Sequence, residues 1–438
     1  MKKKFFPTFI AFIILVGLLL YANKYEVDEI LPNGELPQIN VLGINDSQIK
    51  SLSIGKVGSY SVKLVKANED FKIVFPAEYD CDNAEAYNLA GGLCGLVTDN
   101  YIDDNTSDVS AFGINDDSLA IKIETDKEPI ELRLGAKVPV DDSFYLMKSN
   151  EQRLYVVKSE TLSYFTKGLN DLRERALYHK DFGICNEITY KTSSETLILS
   201  RDAKNNDWVI KNTKYSADNE EVANLLNSMR NLRVSKFVDY SLDDADKYGL
   251  SSPSVFIDVV TEYMEHFVLE VGNMQGSDVY VKDNAHNNIQ MVRNTSVNPL
   301  RLGLNELREK FLSLPLFDEI VGIEITDATG TLTVEHVEKN WKLGEVSLNE
   351  ADVKDFLNSM VRTKVTAFEP LHDLEEYCLT PEQKPMKISI ISKDEVQNYW
   401  VGLRKGLSLT IMTETELIDI NAELDEAIKK FLYRLRRD

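Results

Sequence analysis

Apolar residues recur at positions i, i+3, i+4 and i+7 in four places along the chain: Ala86, Leu89, Ala90, Leu93; Val222, Leu225, Leu226, Met229; Val353, Phe356, Leu357, Met360; and Ile428, Phe431, Leu432, Leu435. That spacing puts each set on one face of a helix laid against a core. The first three helices have candidate N-caps at Asp80, Ser216 and Ser347, and Ser347 with Glu350 spells an S-x-x-E capping box. A short strand carrying Phe71, Trp208 or Trp341 precedes each of them. Strand-like runs follow: Leu119 to Ile121, Val255 to Ile257 and Met386 to Ile388, then segments that end near Gly135, Gly272 and Gly402.

The order of these signals repeats. Gly168-Leu-Asn-Asp-Leu-Arg-Glu-Arg175 returns as Gly303-Leu-Asn-Glu-Leu-Arg-Glu-Lys310 at an offset of 135, and Leu226-Asn-Ser-Met229 returns as Leu357-Asn-Ser-Met360 at 131. A near-constant offset across unrelated landmarks is the mark of internal duplication. Each copy reads as two strands, a helix, several antiparallel strands and a closing helix. Helices and strand runs are segregated in that order, which defines an α+β layout. The expectation is an N-terminal transmembrane helix followed by three tandem related α+β units with antiparallel sheets. The divisions are a cytoplasmic tail and anchor at 1–22, a stalk at 23–40, and units at 41–180, 181–318 and 319–438.

The anchor rests on the run from Phe5 to Ala22, apolar but for Thr8 and preceded by Lys2, Lys3 and Lys4. Its 18 residues reach about 27 Å as a helix, enough to cross a bilayer. The run ends Leu20-Tyr21-Ala22 without an A-x-A-like cleavage site, so an uncleaved anchor is expected. The lysines place that end in the cytoplasm and the bulk of the chain outside it. With 49 Lys+Arg against 71 Asp+Glu the chain carries a formal charge of -22. An acidic excess of this size argues against binding a nucleic-acid backbone.

Candidate chemistry is sparse. Phosphate-cradling, nucleophile-elbow and H-E-x-x-H patterns are absent from the sequence. Ser47-x-x-Lys50 and Ser53-x-x-Lys56 match a Ser/Lys pattern, but in strand-like sequence and without partner motifs. Five histidines, His179, His266, His286, His336 and His372, fall at unrelated points of the copies. The acidic run Asp99, Asp103, Asp104 and Asp108 lacks a calcium-loop core and reads as a solvated turn. Cys81, Cys94, Cys185 and Cys378 form no C-x-x-C, and a single helix would hold Cys81 and Cys94 too far apart for a disulfide unless it breaks at Gly91-Gly92. No catalytic, cofactor-binding or metal-binding residue is assigned. The remaining candidates for ligand or partner contact are cationic. Arg173 and Arg308 occupy equivalent positions of two copies and suit ion pairs, helix-end carbonyls or a ligand. Lys429, Lys430, Arg434, Arg436 and Arg437 form a basic cluster on the last helix, which either docks on the third unit or meets an acidic surface or anionic lipid.

These features together resemble the bacterial membrane proteins built on domain of unknown function 4340. The resemblance is carried by the N-terminal anchor, the aromatic strands before capped helices, the Phe112-Gly113 and Tyr248-Gly249 pairs, the strand ends Leu132 to Gly135 and Leu269 to Gly272, and the Leu-Arg-Glu segments Leu172 to Glu174 and Leu307 to Glu309. The third copy departs from it, with Tyr377-Cys378 in place of an aromatic-glycine pair and no Leu-Arg-Glu segment. The resemblance implies a non-enzymatic, membrane-anchored extracytoplasmic accessory protein beside an ABC-type exporter, with a transporter permease or associated membrane protein as partner. A cell-envelope glycan- or peptide-binding module is the alternative.

Overall fold

The computed structural model describes residues 38–437 apart from 103–107, 152, 204, 214, 287, 313 and 339. The expected anchor at 5–22, nearly all of the stalk at 23–40, and Asp103 and Asp104 of the acidic run lie outside the described residues. Among the described residues no helix is long and apolar enough to cross a membrane. The described residues form four antiparallel sheets with a minority of helix, an α+β protein. Its contacts divide into two compact units, one up to Arg175 and one from Ala176 onward.

In the second unit one sheet runs, in spatial order, Trp208–Ile210, Thr196–Arg201, Cys185–Thr192, Val255–Thr261, His266–Gln275, Asp278–Asp283, Asn288–Arg293 and Val234–Ser241. Three strands come first. The helix Asn219–Arg230 then crosses the sheet, and the strand after it joins the far edge. A four-strand meander fills the space between. The same order recurs in the sheet that begins at Ile320 and in the first unit's large sheet, where Tyr79–Asp80 and Val346–Leu348 add a short outer strand. Along Val255–Thr261 buried residues alternate with half-buried ones. Alternation of this kind is expected of a strand with one face on the core.

The helices are Asn83–Cys94, Asn219–Arg230 and Glu350–Arg362, and the expected apolar stripes face inward on all three, with only Leu226 half-buried. Phe71, Trp208 and Trp341 are each buried in the core beneath its helix. The caps differ from expectation by two residues. Asp82, Asp218 and Asn349 accept backbone N–H groups of the first turn, Asp218 from both Glu220 and Glu221. Asp80 and Ser347 are strand residues, and Ser216 bridges to Val209. Their backbone groups belong to the sheet, so the next Asx residue takes the cap and the Ser347–Glu350 box does not form. Asn83 and Asn219, just inside the first turn, accept the backbone N–H of Phe71 and Trp208 at 2.6 and 2.9 Å, which ties strand to helix.

The closing helix is long only in the third copy, where Glu423–Arg437 buries Ile428, Phe431, Leu432 and Leu435. In the other two it is broken into single turns, Leu162–Phe165 with Leu169–Leu172, and Asn294–Val297 with Leu304–Leu307. Gly168 and Gly303 stand extended where continuous helix would need to pass.

The aromatic-glycine pairs have a steric origin. A Cβ at Gly135, Gly272 or Gly402 would strike the carbonyl oxygen of Phe112, Tyr248 or Tyr377, so the strand must carry glycine where that turn crosses it. The residue after the aromatic then takes a left-handed conformation, φ +75° at Gly249 and φ +58° at Cys378. A side chain in that region costs about 1–2 kcal/mol. Cys378→Gly is therefore expected to stabilise the protein by roughly 0.5–1 kcal/mol after the entropic cost of glycine. Gly249→Ala should destabilise it by more than about 1 kcal/mol, since its Cβ also meets the Asn273 side chain. Urea midpoints of the two variants should move in opposite directions, and movement in the same direction would contradict the equivalence.

Candidate functional site

The two arginines singled out by the repeat are both buried, Arg308 at 2% and Arg173 at 5% exposure. Arg308 follows the one-turn helix Leu304–Leu307 in an extended segment that lies between the two sheets of the second unit. On one side Ala217 bridges to Arg308, Asp218 N–H donates to the Leu307 carbonyl at 2.8 Å and Glu309 N–H to the Ser216 carbonyl at 2.9 Å. On the other side Phe311 bridges to Lys364, and Val365 N–H donates to the Lys310 carbonyl at 2.6 Å. The segment is thus a strap hydrogen-bonded to both sheets.

The Arg308 guanidinium sits 3.4 Å from the Phe368 ring centre and 4.4 Å from that of Tyr215. Nη1 and Nη2 donate to the two carboxylate oxygens of Glu416 at 3.1 and 2.8 Å, a fork-to-fork pair. Tyr215 comes from the side of the sheet that contains Trp208–Ile210, the second large sheet; Phe368 and Glu416 lie in strands of the sheet that begins at Ile320, the third large sheet. Beside it Lys310 Nζ reaches Asp218 at 3.4 Å and Glu221 at 3.2 Å. Within the first unit Arg173 repeats part of this arrangement: it bridges to Cys81 and stacks 4.1 Å from the Tyr79 ring centre.

The basic cluster does not converge on one point. Arg434 pairs with Asp352, Arg436 with Asp327, and Lys429 with Asp425 at 2.7 Å. Lys430 and Arg437 are exposed and have no partner among the described residues. The apolar face of the same helix is buried in the third core, with Phe431 stacked on Phe356 at 4.4 Å.

Other reactive groups are separately engaged. Lys50 pairs with Asp126, and Ser53 is buried within the strand Ser51–Lys56. His266 meets Asp258 and His286 meets Asp283, each at 3.0 Å, His336 stacks on Trp341, and His372 contacts the Pro370 carbonyl. Among the described residues no group of three His, Cys, Asp or Glu could hold a metal ion. Asp278, wholly buried, is ion-paired with Lys236 at 2.9 Å, and the Lys236 ammonium holds its carboxyl below the usual range. All four cysteines are free thiols. Burial pushes Cys81 up to about 12 and Cys94 to about 11, so neither is a thiolate near neutral pH.

What the fold and these side chains define is a set of antiparallel sheet-and-helix repeats, two of them spliced by a buried arginine. The chain belongs to the family described as Domain of unknown function (DUF4340), whose model matches residues 72–214 and again 208–381. The two matches start 136 residues apart, in the repeat's own period, and each contains one of the two equivalent arginines, Arg173 or Arg308. No curated protein and no solved structure matches the chain. The sequence flagged Arg308 but not Glu416, Tyr215 or Phe368. Glu416 is 108 residues away, and no short-range pattern could have named it.

Removing one member of a buried ion pair strands the other and costs about 3–5 kcal/mol, whereas an apolar replacement of both can be neutral. Arg308→Ala is expected to cost that much in residues 41–438, and Arg308→Met with Glu416→Leu far less than the single variants together. Urea denaturation of the four-member cycle gives the coupling. Additive single effects would mean that the pair does not hold the sheets.

Proposed function

We propose that this chain is a non-enzymatic accessory protein of an ABC-type export system, anchored in the cell membrane through residues 5–22 with its sheets outside the cytoplasm. The Arg308–Glu416 pair carries the reading. A side chain of that chemistry, duplicated at Arg173, would suit ligand binding if it faced a cleft. Here it is spent on fixing one sheet against the next, which supports a protein that presents a rigid surface across neighbouring repeats. The finer architecture, three tandem units behind one transmembrane helix, belongs to the same proposal. It is supported by the repeated strand order and by the apolar run behind Lys2 to Lys4. The anchor holds the repeats near a membrane partner at high effective concentration. The second reading, an envelope glycan- or peptide-binding module, is favoured by an open groove along the helix Asn219–Arg230, lined in part by Asn224, Asn227, Ser228 and Asn231.

Protease added to intact protoplasts is expected to remove the bulk of the chain. The full-length protein, solubilised from membranes, should bring down a transporter permease identified by mass spectrometry, and deletion of residues 5–22 should reduce that recovery. Protection of the sheets until the membrane is broken would overturn the topology, and recovery of no transporter subunit would overturn the exporter reading.

A further inference from the structure

Each strap joins its own repeat at an equivalent place. Cys81 and Ala217, each one residue before a helix cap, bridge to Arg173 and Arg308. The same two main-chain bonds flank both bridges. In the first repeat Asp82 N–H donates to the Leu172 carbonyl at 2.9 Å and Glu174 N–H to the Asp80 carbonyl at 3.0 Å; in the second, Asp218 N–H donates to Leu307 at 2.8 Å and Glu309 N–H to Ser216 at 2.9 Å. Leu172 and Leu307 are wholly buried, and each arginine stacks on the tyrosine three residues before the cap, Tyr79 or Tyr215. An extended Leu-Arg segment is thus added to the sheet edge in two repeats, antiparallel and in one register.

The third repeat has the edge without the strap. Leu348 precedes the cap Asn349, and the closing segment is the helix Glu423–Arg437, with no Leu-Arg-Glu sequence in this copy. Val346–Leu348 is the outermost strand and pairs with Asn340–Leu343 on one side. Bonded and non-bonded pairs alternate outward from the two-residue turn Gly344-Glu345, so the Ser347 carbonyl points away from Lys342, just as the Ser216 carbonyl points toward its strap. Among the described residues neither that carbonyl nor the Asn349 N–H has a backbone partner on the open side. Burial records the difference: Cys81 and Ala217 are 6% and 2% exposed beneath their straps, whereas Leu348 is only half-buried.

We infer that the edge Val346–Leu348 is a docking site for an extended segment of a partner protein in which an apolar residue precedes an arginine, added as an outer strand in the register of the two straps. The site goes beyond the accessory-protein reading and does not depend on it. The chemistry of the occupant is set by the two equivalent edges of this same chain, both of which hold Leu-Arg. Main-chain bonds to Ser347 and Asn349 fix the segment's direction, and Leu348 with the exposed Val346 supplies apolar surface for its leucine. Val346 stands where Tyr79 and Tyr215 stack on the arginines, so charge takes the place of the ring: exposed Glu345 and Glu350 flank the strand and complement a basic residue. A second copy of this chain is a poor occupant, because antiparallel pairing of two such edges about Ser347 and Leu348 sets Glu345 against Glu350. A strand this short is also a weak template for edge-to-edge pairing, yet it is long enough for the two-bond contact that a strap makes.

The probe is a fluorescein-labelled peptide with the sequence of residues 303–311, GLNELREKF, titrated against the full-length protein in detergent and read by fluorescence anisotropy. Saturable binding is expected, with Kd below about 1 mM. Glu309→Pro in the peptide removes the N–H that would donate to the Ser347 carbonyl and should weaken binding at least tenfold. Arg308→Glu in the peptide should do the same by setting like charges together. In the protein, Ser347→Pro places a ring on the open side of the edge, where no N–H bond to the neighbouring strand is lost, and should abolish binding. Asn358→Ala, on the exposed face of the third repeat's helix, should leave it unchanged. Unchanged urea midpoints establish that both protein variants fold, and the peptide variants test the site with the protein unaltered. Absence of peptide binding, or binding insensitive to Glu309→Pro and Ser347→Pro, would overturn the assignment. Self-association of the full-length protein that Ser347→Pro abolishes, seen by sedimentation, would give the edge to a second copy and overturn it equally.

Discussion

A guanidinium withdrawn from water loses several kcal/mol of hydration, and it stays buried only where rings and a carboxylate replace that hydration in the right geometry. Arg308 has Phe368 and Tyr215 against its ring-like plane and Glu416 on its fork, and those partners come from both sides of one strap. The strap itself is hydrogen-bonded to the second sheet at Ser216 and Asp218 and to the third at Val365. The register of one sheet on the next is therefore fixed by a charge that has nowhere else to go. The same constraint accounts for the compact unit from Ala176 onward containing two large sheets rather than one.

The repetition was legible in the chain because it rests on local spacing. Apolar stripes from Ala86, Val222 and Val353, and tryptophans at 208 and 341, are set by helix and strand periodicity, which acts within a few residues. The caps were misplaced by two because Ser216 and Ser347 are good capping residues whose backbones the sheet had already taken, a tertiary preference that overrides a local one. The closing segment of each copy is expected to be a helix, and in the first two copies Gly168 and Gly303 break it. Neither the joint nor the groove was legible. Glu416 meets Arg308, and Ser296 faces Asn224, only once strands distant in sequence have paired, and no window of neighbouring residues contains both members.

The charge of -22 acquires a structural distribution. Many of the acidic side chains sit in exposed pairs such as Lys180–Glu265 and Lys354–Glu350, whose individual contributions are small. The middle repeat's helix instead carries asparagine and serine along its open face, where the third repeat's aligned positions hold Asp355 and Arg362. The interior is held by the same stripe and the same cap chemistry in all three helices, while their exposed faces differ.

The central claim, that the arginine strap makes residues 176–438 one cooperative body, is tested most directly by native-state hydrogen exchange across a series of low urea concentrations, read by mass spectrometry on the unaltered protein. The central strands Val255–Thr261 and Met386–Ser392 report on the two sheets separately. The account predicts that both exchange through the same global opening, with one free energy and one urea dependence. Opening of the third sheet at distinctly lower free energy, while Val255–Thr261 remains protected, would contradict it.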